Sequence, residues 1–363
     1  MAKLAVEHLR KLFGDFEAVR DVSFKVEEKE TLCLLGPSGC GKTTTLRMIA
    51  GLEEPSSGEV FIDGELVNDL PPQKRGVGLV FQDYAVFPHM SVRDNLAFGL
   101  SVRNVSSGER EEKVREVAEI LGLDDILDRS AKGLGLSEMQ RVAIGRCLAV
   151  DPRVLLLDEP LSNVDARVRE RMRAELKRIQ REIGITTVYV THDQLEAMTL
   201  GDKIAVMKEG LIEQMGTPGE IYDHPNTLYV ASFIGSPGMN LIECNYGEVM
   251  GGFCLLTKDF NLNISEFAGV IKEKASSPQL IMGIRPEDLL ISTEKSTLDD
   301  VQGEISLVEL LGKKAIYHIS FGEITMLAKV YAIPKIKAGS KAWITFNKRR
   351  LHVFDKKTGH AII

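Results

Sequence analysis

The stretch TLCLLGPSGCGKTTTLRMIA, residues 31–50, decides the fold. Thr31 to Leu35 is an apolar run of strand length, and Thr43 to Ala50 has a helical pattern that closes at Gly51, a helix stop. Between them Gly36, Pro37, Ser38, Gly39, Cys40, Gly41, Lys42 and Thr43 match the spacing G-x-x-x-x-G-K-[ST], with Thr44 alongside as a further contact. Strand, glycine-rich turn and helix, in that order, give the spacing chemical meaning. The glycines let successive backbone N–H groups point at phosphate oxygens, and the helix N-terminus adds partial positive charge. Lys42 then reaches the β- and γ-phosphates, while the Thr43 hydroxyl is offered to Mg2+ bridging the same oxygens. A plain glycine turn needs neither Lys nor Thr at its end.

Upstream, apolar and polar positions alternate at Leu4 and Val6 and again at Val22, Phe24 and Val26, which predicts antiparallel strands. Downstream, Gly58 to Val67 reads as a hairpin turning at Asp63 and Gly64. The charged stretch Glu109 to Asp128 has Val114, Val117, Ile120 and Leu121 at helical spacing, and Gln140 to Val150 predicts another helix. Val154 to Leu157 is a fully apolar strand, and a helix over Ala166 to Ile183 precedes a β-branched strand, Thr186 to Thr191. Such alternation predicts a parallel sheet. Around Gly235 to Met239 the helical signal stops. Short strand-like runs follow at Leu280 to Ile284, Glu304 to Leu310, Ala315 to Ile319 and Ala342 to Phe346. They predict a second, all-β domain, either an OB-like barrel or a sandwich.

With 363 residues, 44% hydrophobic and 27% charged, the chain has material for two or three packed domains. Its longest apolar runs, such as Gly76 to Phe81, fall far short of the roughly 18 residues a membrane span needs. Met1 to Arg10 lacks the charged-then-apolar pattern of a secretory signal, so a cytosolic chain is expected. Cys33, Cys40, Cys147, Cys244 and Cys254 form no C-x-x-C pair and are odd in number, which predicts reduced thiols. A net charge of −7 gives no reason to expect nucleic acid as a partner, since phosphodiester binding draws on clustered Lys and Arg.

A buried strand at Val154 to Leu157 delivers Asp158 and Glu159 at its C-terminal end, beside the glycine loop. Asp158 is suited to hold the metal through water, and Glu159 to polarise an attacking water as general base. The alternative is a solvated strand end with no chemistry.

Taken in order, the phosphate loop, Gln82 within Val80 to Tyr84, Leu156 to Pro160, Ser162 to Asp165 and His192 within Val190 to Asp193 resemble the ATPases of ABC transporters. Gly235 to Asn240, Gly283 to Glu287 and Val308 to Gly312 resemble the C-terminal OB-type (TOBE) domain of the sugar-importer, MalK-like subclass. The resemblance covers the whole chain. It implies an α/β P-loop ABC ATPase domain over residues 1–235, with a helical insert at about 84–150. A smaller all-β OB-fold-like regulatory domain follows over 236–363. It implies ATP and Mg2+ as ligands, with Mg2+ at Thr43, Gln82 and Asp158, and ATP hydrolysis coupled to import of carbohydrate or a related small solute. Gln82 would sense the γ-phosphate and metal while its loop touches the membrane subunit, and His192 would hydrogen-bond the γ-phosphate. Phe13 matches the aromatic that stacks on adenine, although it also reads as a strand-edge residue and Phe16 lies nearby. Asp165 matches a carboxylate that links two ATP sites across a dimer, and it equally suits a helix N-cap. Tyr84 to Val92 would dock a coupling helix. The implied partners are transmembrane permease subunits, a substrate-binding protein reached through them, and a second ATPase subunit in a homodimer or heterodimer, at the cytoplasmic face of the membrane.

One element departs from the family. Where members carry Leu-Ser-Gly-Gly-Gln, an ungapped alignment anchored on Leu127 to Arg129 and Arg141 to Ala143 places Leu134, Gly135, Leu136, Ser137 and Glu138. That element caps the ATP of the opposite subunit. Gly135 brings no hydroxyl, Leu136 adds bulk and Glu138 adds a like charge. Losing one preorganised donor costs about 2.7 to 4 kcal/mol, so weakened hydrolysis is expected. A gapped alternative makes Ser137 the signature serine but shortens the preceding loop. Two other readings stay open: an ABC protein without a transporter, and a non-hydrolysing ATP-binding regulator.

Overall fold

A computed structural model describes residues 3–162, 164–249, 251–331 and 336–363. The chain divides into two compact units, Met1–Pro218 and Gly219–Ile363.

The first unit opens with antiparallel strands β1 (Leu4–Phe13) and β2 (Phe16–Val26), then β3 (Thr31–Leu35) and helix α1 (Lys42–Ala50). Gly51 ends α1 in a left-handed conformation, as its place in the sequence predicts. The hairpin of β4 (Ser57–Ile62) and β5 (Glu65–Leu66) turns at Asp63 and Gly64, both at positive φ. Strand β6 (Val77–Val80) leads to three helices: α2 (Val92–Val102), α3 (Ser107–Leu121) and α4 (Leu136–Leu148). Helix α3 is shorter than the periodic stretch, because Gly122 adopts a left-handed cap and the chain tightens to 3-10 turns beyond it. Strand β7 (Val154–Asp158), α5 (Ala166–Ile183), β8 (Thr187–Thr191), α6 (Gln194–Leu200), β9 (Lys203–Lys208) and β10 (Leu211–Gly216) complete the unit.

Strands β6, β7, β8, β3 and β9 are neighbours in parallel register, rich in apolar and β-branched residues and largely buried on both faces. Strand β10 joins antiparallel to β9 and parallel to β2, and the antiparallel run of β2, β1, β4 and β5 extends the sheet to ten strands. The core gathers Leu32, Leu34, Leu46, Ile49, Leu156, Val188 and Val190 under α1, so the loop before that helix stands at the carboxyl ends of the parallel strands. That is where ligands bind in open α/β sheets.

The second unit begins with short helices α7 (Pro218–Asp223) and α8 (Leu228–Phe233). Arg285 ties both helices to the β structure. Its buried guanidinium donates to the carbonyls of Tyr222 and Ile234 and lies 3.7 Å over the Tyr222 ring. The compact units therefore part earlier in the chain than the change in sequence pattern near Gly235. One five-stranded sheet holds β11 (Asn240–Val249), β12 (Gly252–Leu256), β13 (Asn261–Asn263), β14 (Gln279–Ile284) and β20 (His352–Asp355). The other holds β15 (Leu289–Ser292), β16 (Val301–Leu311), β17 (Lys314–Phe321), β18 (Ile324–Val330) and β19 (Lys341–Phe346). Ile242, Leu255 and Leu280 from the first sheet share a core with Tyr317, Ile319 and Ile344 from the second. A short helix, α9 (Ala268–Lys274), also packs in this unit; with two turns it offers too little periodicity to stand out in sequence.

Candidate active site

The loop 36–41 joins β3 to α1 with Gly41 at φ 101, where a Cβ would fall 2.6 Å from the Ala18 carbonyl oxygen. Only glycine fits there, and its absence of side chain keeps the first N–H groups of α1 open. Lys42 is only 4% exposed, and its ammonium donates to the carbonyls of Gly36 at 2.8 Å and Pro37 at 3.0 Å. Cys40 Sγ lies 3.8 Å from that nitrogen, and burial pushes its thiol pKa up. Phe13, Phe16, Ser38, Gly39, Gly41, Lys42, Thr43, Thr44 and Glu159 line one cavity of about 280 Å3.

Thr43 Oγ1 donates to Asp158 Oδ1 at 3.0 Å. Burial pushes the Asp158 carboxyl pKa up, with the Thr43 hydrogen bond and the Arg47 charge opposing it. A desolvated carboxylate beside a hydroxyl is an oxygen donor set for a hard cation. Mg2+ keeps waters and takes substrate phosphate oxygens rather than an all-protein cage, so these two side chains beside the cavity of the glycine loop fit Mg-ATP.

Glu159 follows β7 at φ 45, a conformation uncommon for a residue with a Cβ and one that sequence does not announce. Its Oε2 lies 3.0 Å from His192 Nδ1. A carboxylate only accepts, so this contact assigns the Nδ1 proton and leaves Nε2 as the ring's other polar atom. Gln82 is exposed and does not line the cavity; its Nε2 donates to Ser162 Oγ at 3.0 Å, and Ser162 Oγ donates to the Glu159 carbonyl at 2.9 Å. Ser162 opens the motif Ser162 to Asp165, whose Asn163 lies outside the described residues. Asp165 caps α5 by accepting from Val168 N at 3.1 Å. Phe13 and Phe16 both reach the cavity, with Lys11 Nζ 5.0 Å from the Phe13 ring centroid.

Gly135 is the N-cap of α4. Its N–H donates to Glu138 Oε2 at 2.8 Å, and Arg129 donates to Glu138 Oε1 at 3.1 Å. Ser137 sits inside the first turn and donates to Glu175 Oε2 of α5 at 3.1 Å. A carboxylate of the same chain therefore occupies the amide at the helix entrance.

A strand-delivered carboxylate pair beside a lysine-closed phosphate loop defines a P-loop nucleotide-binding protein. Family models match in three places: the ABC transporter family over residues 19–162, the MalK OB fold domain over 235–289 and the TOBE domain over 282–354. The chain is 44% identical over 380 residues, covering all of both chains, to the trehalose/maltose import ATP-binding protein MalK of Thermococcus litoralis. It is 43% identical, again over both full chains, to the multiple sugar-binding transport ATP-binding protein MsmK of Streptococcus mutans. Among solved structures it resembles CbiO1 of Clostridium perfringens, part of the ABC transporter complex CbiONQ, at TM-score 0.57 and 29% identity over 61% of this chain and 90% of that one. A dimeric ATP-binding cassette in a post-hydrolysis state, bound to ADP and Pi, matches at TM-score 0.52 and 30% identity over 59% of this chain and 98% of that one. The chain belongs to the ATP-binding subunits of ABC importers, in the MalK-like group that carries OB and TOBE domains. Among the described residues no helix is long and apolar enough to cross a membrane.

Proposed function

We propose that this chain hydrolyses ATP to drive import of a carbohydrate or related small solute through permease subunits at the cytoplasmic face of the membrane. The observation that carries the chemistry is the Thr43 to Asp158 hydrogen bond beside buried Lys42 and the Glu159-lined cavity. The relatives named for sugar import support the direction and cargo class. A separate binding protein would deliver the solute, and the functional boundary between the domains falls near residue 235, where the OB match begins.

Backbone N–H groups of Ser38 to Thr44 and the Lys42 ammonium bind the triphosphate, with Phe13 on the adenine. Thr43 and Asp158, joined by Gln82, would hold Mg2+, which would supply charge neutralisation to the triphosphate. Glu159 accepts a proton from the attacking water. His192 donates to the Glu159 carboxylate from Nδ1, and a hydrogen bond from Nε2 to the γ-phosphate draws on the imidazolium form, in which both ring nitrogens donate. Two subunits face head to tail, so that α4 of one closes over the cavity of the other, and Asp165 lies between the sites.

The entrance of α4 supports a second feature, weak hydrolysis. Gly135 offers no hydroxyl, and Glu138 engages the amide that would otherwise meet a partner's phosphate. Pairing with a subunit whose signature is intact restores one of the two sites; failing that, the chain acts as an ATP-binding regulator. Calorimetry with Mg-ATP and steady-state turnover of the purified chain, with and without its permeases, test the reading. Saturable binding with slow turnover is expected, and no binding by folded protein would refute it.

A further inference from the structure

Two donors converge on one backbone carbonyl next to Glu159. The Tyr84 phenol donates to the Pro160 carbonyl oxygen at 2.8 Å, and the Gln140 amide nitrogen donates to the same atom at 3.2 Å. A carbonyl oxygen has two lone pairs, and here buried side chains from two different elements use both. Tyr84 belongs to the loop after β6, and Gln140 to α4.

The adjacent carbonyl is held as well. Ser162 Oγ donates to the Glu159 carbonyl, and Gln82 donates to Ser162. Pro160 has no N–H and a fixed φ, so these two carbonyls are the polar handles on the backbone just after Glu159. The Glu159 N–H, for its part, donates to the Val190 carbonyl at 3.1 Å. Glu159 thus keeps its unusual φ of 45° because anchors grip the chain on both sides of it.

The loop itself is under similar control. Tyr84 and Ala85 are consecutive residues at positive φ, 62° and 47°. Arg146 of α4 donates to the Ala85 carbonyl, and its guanidinium lies 4.1 Å over the Phe87 ring. One helix therefore grips both the loop and Pro160.

We propose that Tyr84 and Gln140 are positioning residues for hydrolysis, tying the aim of the Glu159 carboxylate to the position of the 84–90 loop and of α4 through the Pro160 carbonyl. The proposal rests on Glu159 acting as general base. Moving the loop or the helix withdraws a donor from that oxygen. With Tyr84 6% and Gln140 2% exposed, water does not replace it. A pull on the loop from outside, or on α4 from a closing partner, is thereby felt at the base as a changed backbone anchor.

Tyr84→Phe deletes one oxygen and keeps the ring, and Gln140→Leu deletes the second donor. In the full-length chain, with and without its permeases, both should leave the Kd and KM for Mg-ATP within about twofold of wild type. Each should lower kcat roughly tenfold, with the double variant falling less than the product of the two. Wild-type kcat in both variants, or a raised KM at unchanged kcat, overturns the proposal. If turnover is too slow to read, hydrogen exchange at the Leu161 and Ser162 amides decides: faster exchange in Tyr84→Phe is expected, and unchanged exchange overturns it. Failure of the wild-type chain to bind Mg-ATP would instead overturn the ATPase reading.

Discussion

The Glu159 carboxylate and the His192 ring meet at 3.0 Å across the ends of two neighbouring parallel strands, β7 and β8. The contact orients both groups before any ligand arrives. An amide at 159 can keep the hydrogen bond to the ring but cannot take a proton from water. Glu159→Gln is therefore expected to retain Mg-ATP binding while lowering turnover by about 10²- to 10⁴-fold, read by calorimetry and steady-state phosphate release.

Asp158 titrates in the direction burial dictates. Its pKa is raised in the folded chain, so the ionised form is the costly one, and the metal-free fold gains stability as pH falls through that raised value. A bound cation reverses the preference and expels the proton. Mg-ATP binding should release more protons as pH falls toward the raised Asp158 value, detected as heats that depend on the buffer's ionisation enthalpy. Asp158→Asn should remove the Asp158 part of that dependence, leaving the nucleotide's own, and weaken Mg2+-dependent binding about 10- to 100-fold.

The entrance of α4 is open to repair. Gly135→Ser with Leu136→Gly restores a hydroxyl and removes bulk, and Glu138→Gln weakens the self-capping of the Gly135 amide. Turnover of the triple variant should exceed wild type by about a hundredfold, the scale of one oxyanion donor. An unchanged rate would mean that the signature does not limit hydrolysis.

His352 gives the second unit a pH dependence of its own. Burial, with the neighbouring Arg285 charge, pushes its pKa down from 6.5 to about 4. The unfolded chain protonates first as pH falls, so the stability held above pH 6.5 is lost progressively down to about 4. The loss amounts to roughly 3 kcal/mol at most. Unfolding followed at Trp343, which lies in the same unit, should show this slope, and His352→Phe should flatten it.

Helix existence and parallel order were legible because periodicity and glycine stops are local. The run Ala166 to Ile183 is a helix over its predicted length, bounded by Asp165 and Gly184. Lys42 and Thr43 were legible from the strand, turn and helix pattern that puts them at the start of α1, and Asp158 and Glu159 from the apolar run that ends at them. Periodicity alone left the strands of the second unit open between a barrel and a sandwich, and the resemblance in Gly235 to Asn240 and Gly283 to Glu287 implied the OB-type domain that the family matches bear out. The shared core of Leu280 with Tyr317 and Ile344 shows two sheets packed together.

Sequence by itself marked out a phosphate loop and a carboxylate pair, since strand, turn and helix signals span only a few residues, and the resemblance added a distant histidine. Tertiary structure alone decided which of these groups touch. The left-handed backbone at Glu159 and the Tyr84 and Gln140 donors on Pro160 arise from packing and hydrogen bonding around the site, including contacts made across long separations in the chain. No local propensity encodes an interaction whose partner lies 76 residues away.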